Sequence, residues 1–199
     1  KLGIPGEVEY SGKGVSYCAI CDGAFFRDKV IAVVGGGDAA VEEGAFLTKF
    51  GSKVYLIHRR DQLRAQKIIQ QRAFDNPKME FLLDTVVESI NGNDRQVTDL
   101  TLRNVKTNEE RTLDIGAIFV YVGFRPNTGI FRDPVKVDDG GYIVTDTRME
   151  TSIPGIFACG DVRSQLVRQV TNAVGDGTTA AVAAEKYIES LEDKHARRG

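Results

Sequence analysis

Residues 30–37 read VIAVVGGG, a short unbroken apolar run that ends in three glycines. An uninterrupted apolar strand is what a parallel sheet covered on both faces requires. The run at 29–34 therefore predicts a buried strand. Ala40, Val41, Ala45 and Phe46, interspersed with Glu42 and Glu43, predict a helix over 38–50 that Gly51 stops. Residues 53–58 predict a second strand, 61–74 a second helix and 79–83 a third strand. Strands and helices alternating in this order specify a parallel sheet flanked by helices, an α/β fold.

Beyond residue 83 the pattern changes. Residues 97–104 alternate apolar and polar side chains, 106–109 are polar turn material, and 111–115 can return as a hairpin partner. Residues 117–122 predict another buried strand, ending at Gly123. Strands are then expected at 142–145 and 156–158, the second running into Cys159, Gly160 and Asp161, and a long amphipathic helix over 168–191. The turn-rich segment 1–14 reads as an incoming connection, and the boundary between two lobes is expected near 127–131.

Composition narrows the function classes. An apolar content of 42% and a charged content of 27% are those of a soluble globular chain. A net charge of −2 gives no reason to expect nucleic acid or an anionic membrane as partner. The longest apolar run, 117–124, is too short to span a bilayer, and no secretory leader is present. Three cysteines, two of them spaced C-x-x-C, suit a reducing compartment, so a cytoplasmic location is expected. The chain opens on Lys1, which reads as a piece of something longer or a processed form.

Gly35, Gly37 and Ala40 form a G-x-G-x-x-A turn between strand and helix. The first glycine permits the tight turn, the second lets a pyrophosphate approach the backbone, and the small third residue lets helix and strand pack closely. The helix N-terminus offers free N–H groups to phosphates, so the turn predicts dinucleotide binding. Selectivity is read at the end of the second strand. An acidic residue there would bond a ribose 2′-hydroxyl, but this chain has His58, Arg59 and Arg60, with Arg64 a turn on. Guanidinium groups bind a 2′-phosphate through paired, charge-assisted bonds, which points to NADP(H). A solvated basic helix start is the alternative, and it would oppose the helix dipole.

Cys18 and Cys21 have three readings. A zinc half-site would need more ligands, and only Cys159, His58 and His195 are available, widely scattered. Inert buried cysteines would share the spacing by coincidence. A redox dithiol needs no further partners, and Asp22 follows at once as a proton donor and acceptor for an exchange that runs through thiolate. Cys159 reads as a small buried residue, and no metal site is expected.

Five segments together carry a family resemblance: GVSYCAICDG at 14–23, VVGGGDAAVEE at 33–43, HRRD at 58–61 with Arg64, GFRPNT at 123–128, and TSIPGIFACGDV at 151–162 with Arg168 and Gln169. In this order they resemble the low-molecular-weight, bacterial-type thioredoxin reductases. The resemblance implies a flavoprotein built from two dinucleotide-binding domains. Residues 1–128 would be a Rossmann-like, three-layer NADPH-binding domain, a parallel sheet plus a β-hairpin or meander carrying the C-x-x-C motif. Residues 129–199 would be the C-terminal segment of the FAD-binding domain. It further implies that Cys21 faces the flavin, that Cys18 attacks the disulfide of thioredoxin, and that Asp22 is the acid/base. Gly36, Asp38, Ala39, Glu42 and Gly123 would join the nucleotide site. Gly160 and Asp161 would hold the FAD ribityl and phosphate region, with Arg168, Gln169 and Val170 beside the flavin ring. A homodimer is implied as well. The first FAD segment of the family has no counterpart in these residues, so the chain alone is expected to bind FAD poorly and to be inactive. The flavoprotein subunit of an alkyl hydroperoxide reductase and an isolated NADP(H)-binding module without turnover are the alternatives.

Overall fold

The computed structural model describes residues 1–131 and 134–196. Arg132, Asp133 and residues 197–199 lie outside the described residues, as does the side chain of His195, one of the possible zinc ligands. The chain separates into two compact units, Lys1–Gly123 and Phe124–Gly199.

In chain order the first unit contains β1 (Val15–Ser16), α1 (Ala19–Asp22), β2 (Val30–Gly35), α2 (Asp38–Leu47), β3 (Lys53–Ile57) and α3 (Lys67–Phe74). It continues with β4 (Met79–Leu82), β5 (Thr85–Gly92), β6 (Val97–Asn104), β7 (Glu110–Asp114) and β8 (Ala117–Tyr121). A five-stranded parallel sheet has the order β1-β8-β2-β3-β4, and β5, β6 and β7 form a separate antiparallel sheet. The antiparallel sheet is thus the crossover between β4 and β8, where an α/β unit ordinarily uses a helix.

The burial pattern explains why the strands of the parallel sheet read as unbroken apolar runs. Ile31, Val33, Leu56 and Phe119 face one way, into a core with Val41 and Leu47 of α2 and Ala73 of α3. Their neighbours Ala32, Val34, Ile57 and Ile118 face the other way, onto Ile90, Val97, Leu100 and Leu102 of the antiparallel sheet. Both faces are covered, so no position in these strands can be polar without a partner. The result is three layers: helices, parallel sheet, antiparallel sheet.

Several expected boundaries move. The helix from residue 38 ends at Leu47, where the N–H of Thr48 turns to Ala45 and Phe46 and the N–H of Gly51 closes on the Leu47 carbonyl. The helix expected from residue 61 begins only at Lys67, because residues 64–66 are held as a loop by the glycine turn and the first residue of α2. The N–H groups of Arg64 and Ala65 donate to the Gly36 carbonyl at 2.6 and 3.1 Å, and that of Gln66 donates to Asp38 at 2.7 Å. β5 was not expected from the sequence. A register shift between Val87 and Ser89 breaks its alternation, so the period-2 signal is lost.

In the second unit the segments expected as strands at 142–145 and 156–158 form only isolated bridges, Val137 with Ile143, Ile143 with Arg163 and Glu150 with Phe157. The unit has a small core of Val135, Ile143 and Ala158. Its helix α4 (Val170–Ala196) starts two residues later than expected and leaves Val170, Val174, Val182 and Ile188 exposed. Among the described residues no helix is long and apolar enough to cross a membrane.

Leu100 is fully buried between the two sheets of the first unit. Leu100→Ala is expected to lower the unfolding free energy of that unit by about 2–5 kcal/mol, read from a urea titration.

Candidate functional site

The dithiol sits on a single helical turn. A helix of four residues has no intrinsic stability, so α1 must be fixed from outside. Cys18 caps it, its Sγ accepting from the Cys21 N–H at 3.2 Å, and Cys18 and Cys21 are joined as a disulfide with Cα atoms 5.3 Å apart. Ser16 at the end of β1 accepts from the Cys18 N–H at 3.1 Å and donates its hydroxyl to Asp22 Oδ2 at 2.6 Å. The Ala19 N–H donates to the buried hydroxyl of Tyr121, the last residue of β8, at 2.6 Å. A Cβ on Gly23 would come within 2.9 Å of Leu47, so the turn lies flat against α2. Burial pushes the Tyr121 phenol up to about 12, with the carboxylates of Glu43 and Asp22 acting in the same direction. Cys21 is exposed, and so are the apolar side chains of Ile20 and Phe25 beside it.

The glycine turn is built against the same strand. Gly35 pairs with Tyr121 in the sheet, and a Cβ there would overlap the Tyr121 carbonyl and fall 2.6 Å from the buried Ala40 methyl. A Cβ on Gly36 would overlap the imidazole of His58. Gly37 differs from both. It is the N-cap of α2 in extended conformation, and a Cβ on it would meet open space. The turn therefore leaves room for a ligand at Gly37 and spends Gly35 and Gly36 on internal packing.

A cavity of about 310 Å³ opens at the C-terminal ends of β2, β3 and β8, the place where open α/β sheets bind ligands. Gly35, Gly36, His58, Arg59 and Arg64 line it together. Arg60, Gly37, Asp38, Ala39, Ala40 and Glu42 lie outside this lining. Ala40 is buried beneath the turn, Ala39, Glu42 and Arg60 are exposed, and the Asp38 carboxylate is taken by the Gln66 backbone and side-chain amides. Arg59, Arg60 and Arg64 precede α3 on the loop rather than opening a helix, so no helix dipole opposes their charge.

His58 is 5% exposed, and its Nε2 has no hydrogen-bond partner among the described residues. Burial, helped by the charges of Arg64 and Arg60, holds its imidazole below the usual value and keeps it neutral. The cavity is closed on one side by Leu2 and Ile4. That segment is pinned by Glu7, which is 1% exposed and accepts from the Leu2 N–H at 2.9 Å, the Gly3 N–H at 2.7 Å and the Tyr17 hydroxyl at 2.9 Å. Burial alone would raise the Glu7 carboxyl, but these three donors outweigh it and hold the group below the usual value.

In the second unit Gly160 opens a short turn, Gly160–Val162, at φ +73°. Its N–H donates to Asp176 of α4 at 3.1 Å, and Asp176 also pairs with Arg163 at 3.2 Å. Gln165 closes the turn by donating to the Gly160 carbonyl at 2.8 Å. Asp161 is exposed. Arg168 lies 4.0 Å over the ring of Tyr142, while Val170 is exposed and Gln169 half-buried. Gly123 ends the first unit at φ +105°. Cys159 corrects the sequence reading: its thiol is exposed, because the backbone turning at Gly160 buries Ala158 instead. Among the described residues no three His, Cys, Asp or Glu side chains gather as a metal site.

Sequence reasoning missed Ser16, Tyr121, Glu7 and Asp176. Each is a polar residue inside a segment read for its apolar pattern or its turns, and burial is the only signal that distinguishes it.

Tyr121→Phe leaves the Ala19 N–H buried without an acceptor and is expected to cost about 1–3 kcal/mol in a urea titration. The lowered His58 makes the unfolded chain bind more protons, so its contribution is present above about pH 6.5 and is lost as pH falls through the depressed folded value. The urea midpoint should fall between about pH 7 and about pH 5, and less steeply in His58→Asn.

The family model for pyridine nucleotide-disulphide oxidoreductases matches residues 1–177. The thioredoxin reductase of Listeria monocytogenes is 50% identical over 193 residues, covering 97% of this chain and 60% of the relative. That of Bacillus subtilis is 49% identical over the same length, covering 61% of the relative. The crystal structure of thioredoxin reductase from Streptococcus pyogenes superposes with a TM-score of 0.91 at 55% identity, over 96% of this chain and 62% of that one. The chain spans about 60% of the length of the curated relatives it matches. The match of the family model over residues 1–177 shows that the chain belongs to the pyridine nucleotide-disulphide oxidoreductase family.

Proposed function

We propose that this chain is part of an NADPH-dependent thioredoxin reductase, a cytoplasmic homodimeric flavoprotein. Residues 1–128 serve as its NADPH-binding domain and 129–199 as the second segment of its FAD-binding domain. One observation carries the reading. The Cys18–Cys21 disulfide is anchored by Tyr121, the residue that also pairs with Gly35 of the dinucleotide turn. The names of the relatives point to thioredoxin as the disulfide substrate.

The residues fit both cofactors. Gly37 leaves open the space that a side chain would fill, at the start of α2 where backbone N–H groups face a phosphate. Arg59, Arg60 and Arg64 are exposed at the β3 end and free to pair with a 2′-phosphate. In the second unit Gly160 turns the chain so that the Asp161 carboxylate is presented to solvent, suited to accept from ligand hydroxyls. When bound, NADPH and FAD together supply the electron pair that reduces the disulfide.

The protein's own part is thiol–disulfide exchange. The Cys18 thiolate attacks the substrate disulfide, forming a mixed disulfide and releasing one substrate thiolate. Cys21 then attacks Cys18 Sγ, which restores the Cys18–Cys21 bond and releases the second. Asp22 takes a proton from each attacking thiol and returns it to each leaving thiolate. Cys18 is half-buried and Cys21 exposed, and the same segment exposes the apolar side chains of Ile20 and Phe25.

Replacing Arg59 and Arg60 with Ala should weaken NADPH by about 10- to 100-fold while leaving NADH nearly unchanged, as titration of the 199-residue chain would measure. Equal losses for both nucleotides would overturn the 2′-phosphate assignment. In the complete enzyme, Cys18→Ser and Cys21→Ser should each reduce NADPH-driven reduction of thioredoxin to background.

A further inference from the structure

The geometry assigns Ser16 as the positioning residue of the dithiol: one buried hydroxyl holds both the Cys18 amide and the Asp22 carboxylate. The inference rests on the reading of Asp22 as acid/base. Ser16 is 5% exposed and belongs to β1, paired in parallel with Phe119 of β8. Its Oγ accepts from the Cys18 N–H at 3.1 Å and donates to Asp22 Oδ2 at 2.6 Å. A hydroxyl has one proton, and the 2.6 Å contact to a carboxylate has the length of a charge-assisted bond, so that proton lies toward Asp22.

The consequence is geometric. Cys18 and Asp22 bracket α1, and the Asp22 N–H also closes on the Cys18 carbonyl at 3.1 Å. With Ser16 fixed to the sheet, its hydroxyl holds the carboxylate at one place on the wall of a cavity of about 340 Å³, which Ser16 and Asp22 line together with Lys13, Phe25 and Arg95. Ser16→Ala removes that bond from β1 and leaves the carboxylate to the charges of Lys13 and Arg95, which line the same cavity. Tyr121 of β8 feels the charges of both Asp22 and Glu43 of α2, and its hydroxyl is engaged by the Ala19 N–H. Ser16 therefore sets where the proton of the exchange reaction is taken up and given back.

The test uses the reduced 199-residue chain and bis(2-hydroxyethyl) disulfide, whose alkyl thiolate leaving group is basic and needs a proton. Oxidation of Cys18 and Cys21 to the disulfide is balanced by reduction of the probe to two molecules of 2-mercaptoethanol. The protons pass from the cysteine thiols through Asp22 to the leaving thiolates. Exchange rates are measured across pH for the wild type, Ser16→Ala, Ser16→Thr, Asp22→Asn and the Ser16→Ala/Asp22→Asn pair. Asp22→Asn should slow exchange on the order of 10²-fold and alter the pH profile. Ser16→Ala should slow it by about tenfold or more with the same altered profile, Ser16→Thr should recover most of the rate, and the double variant should be no slower than Asp22→Asn.

A Ser16→Ala loss that persists in full on the Asp22→Asn background, or an unaltered profile, would make Ser16 a structural residue only and overturn the inference. Unchanged rates in Asp22→Asn would instead overturn the reading of Asp22 itself. If Ser16→Ala does not fold, amide exchange at Cys18 decides: it should be faster in Asp22→Asn than in the wild type, and equal rates refute the coupling.

Discussion

The pairing of β8 with β2 and β1 is the constraint on which the first unit depends. β8 is the last strand in sequence yet lies between the edge strand and the glycine-turn strand. Its register places Tyr121 opposite Gly35 and Phe119 opposite Ser16. The nucleotide turn, the dithiol helix and the Ser16 hydroxyl are therefore all referred to one strand. A slip of one residue in that strand would reverse every side chain, burying Tyr121 on the wrong face and leaving the Ala19 N–H without an acceptor. Burial of Ile118, Phe119 and Val120 on alternate faces makes such a slip costly.

Around this strand the polar groups are buried in partnership. Glu7 is held by three donors, Ser16 by two partners and Tyr121 by the Ala19 amide. His58 is the exception in the first unit, a neutral ring wedged against Gly36 whose Nε2 has no hydrogen-bond partner among the described residues. An unsatisfied buried nitrogen carries a free-energy cost, and the residue that bears it is one of those lining the cavity. The second unit repeats the pattern on a smaller scale, with Asp176 serving both the Gly160 amide and Arg163.

Much of this was legible before the structure. The unbroken apolar runs of β2, β3 and β8 could only belong to a doubly covered sheet, and the glycine spacing marked the turn between β2 and α2. The basic residues after β3 and the C-x-x-C pair stood out because their residue types are specific to a chemistry. Other features were hidden for identifiable reasons. The bulge in β5 erased its alternation, and the loop at 64–66 looked helical because its backbone bonds go to Gly36 and Asp38, partners far away in sequence. The second unit defeated pattern reading at 142–145 and 156–158, where single bridges satisfy the backbone without building a ladder.

The sequence by itself determined the elements that rest on local patterns. These are the α/β order, the dinucleotide turn, the dithiol spacing and the charge at the end of β3. Periodicity and residue type act within a few residues, so they can be read along the chain. The tertiary structure alone decided which residues support them. Ser16, Tyr121 and Glu7 are ordinary polar residues until the fold removes them from water, Ser16 and Tyr121 by the insertion of β8 beside β1 and β2. Only then is each confined to the few partners the fold brings to it, and a hydroxyl in a short edge strand comes to hold both ends of a reactive helix.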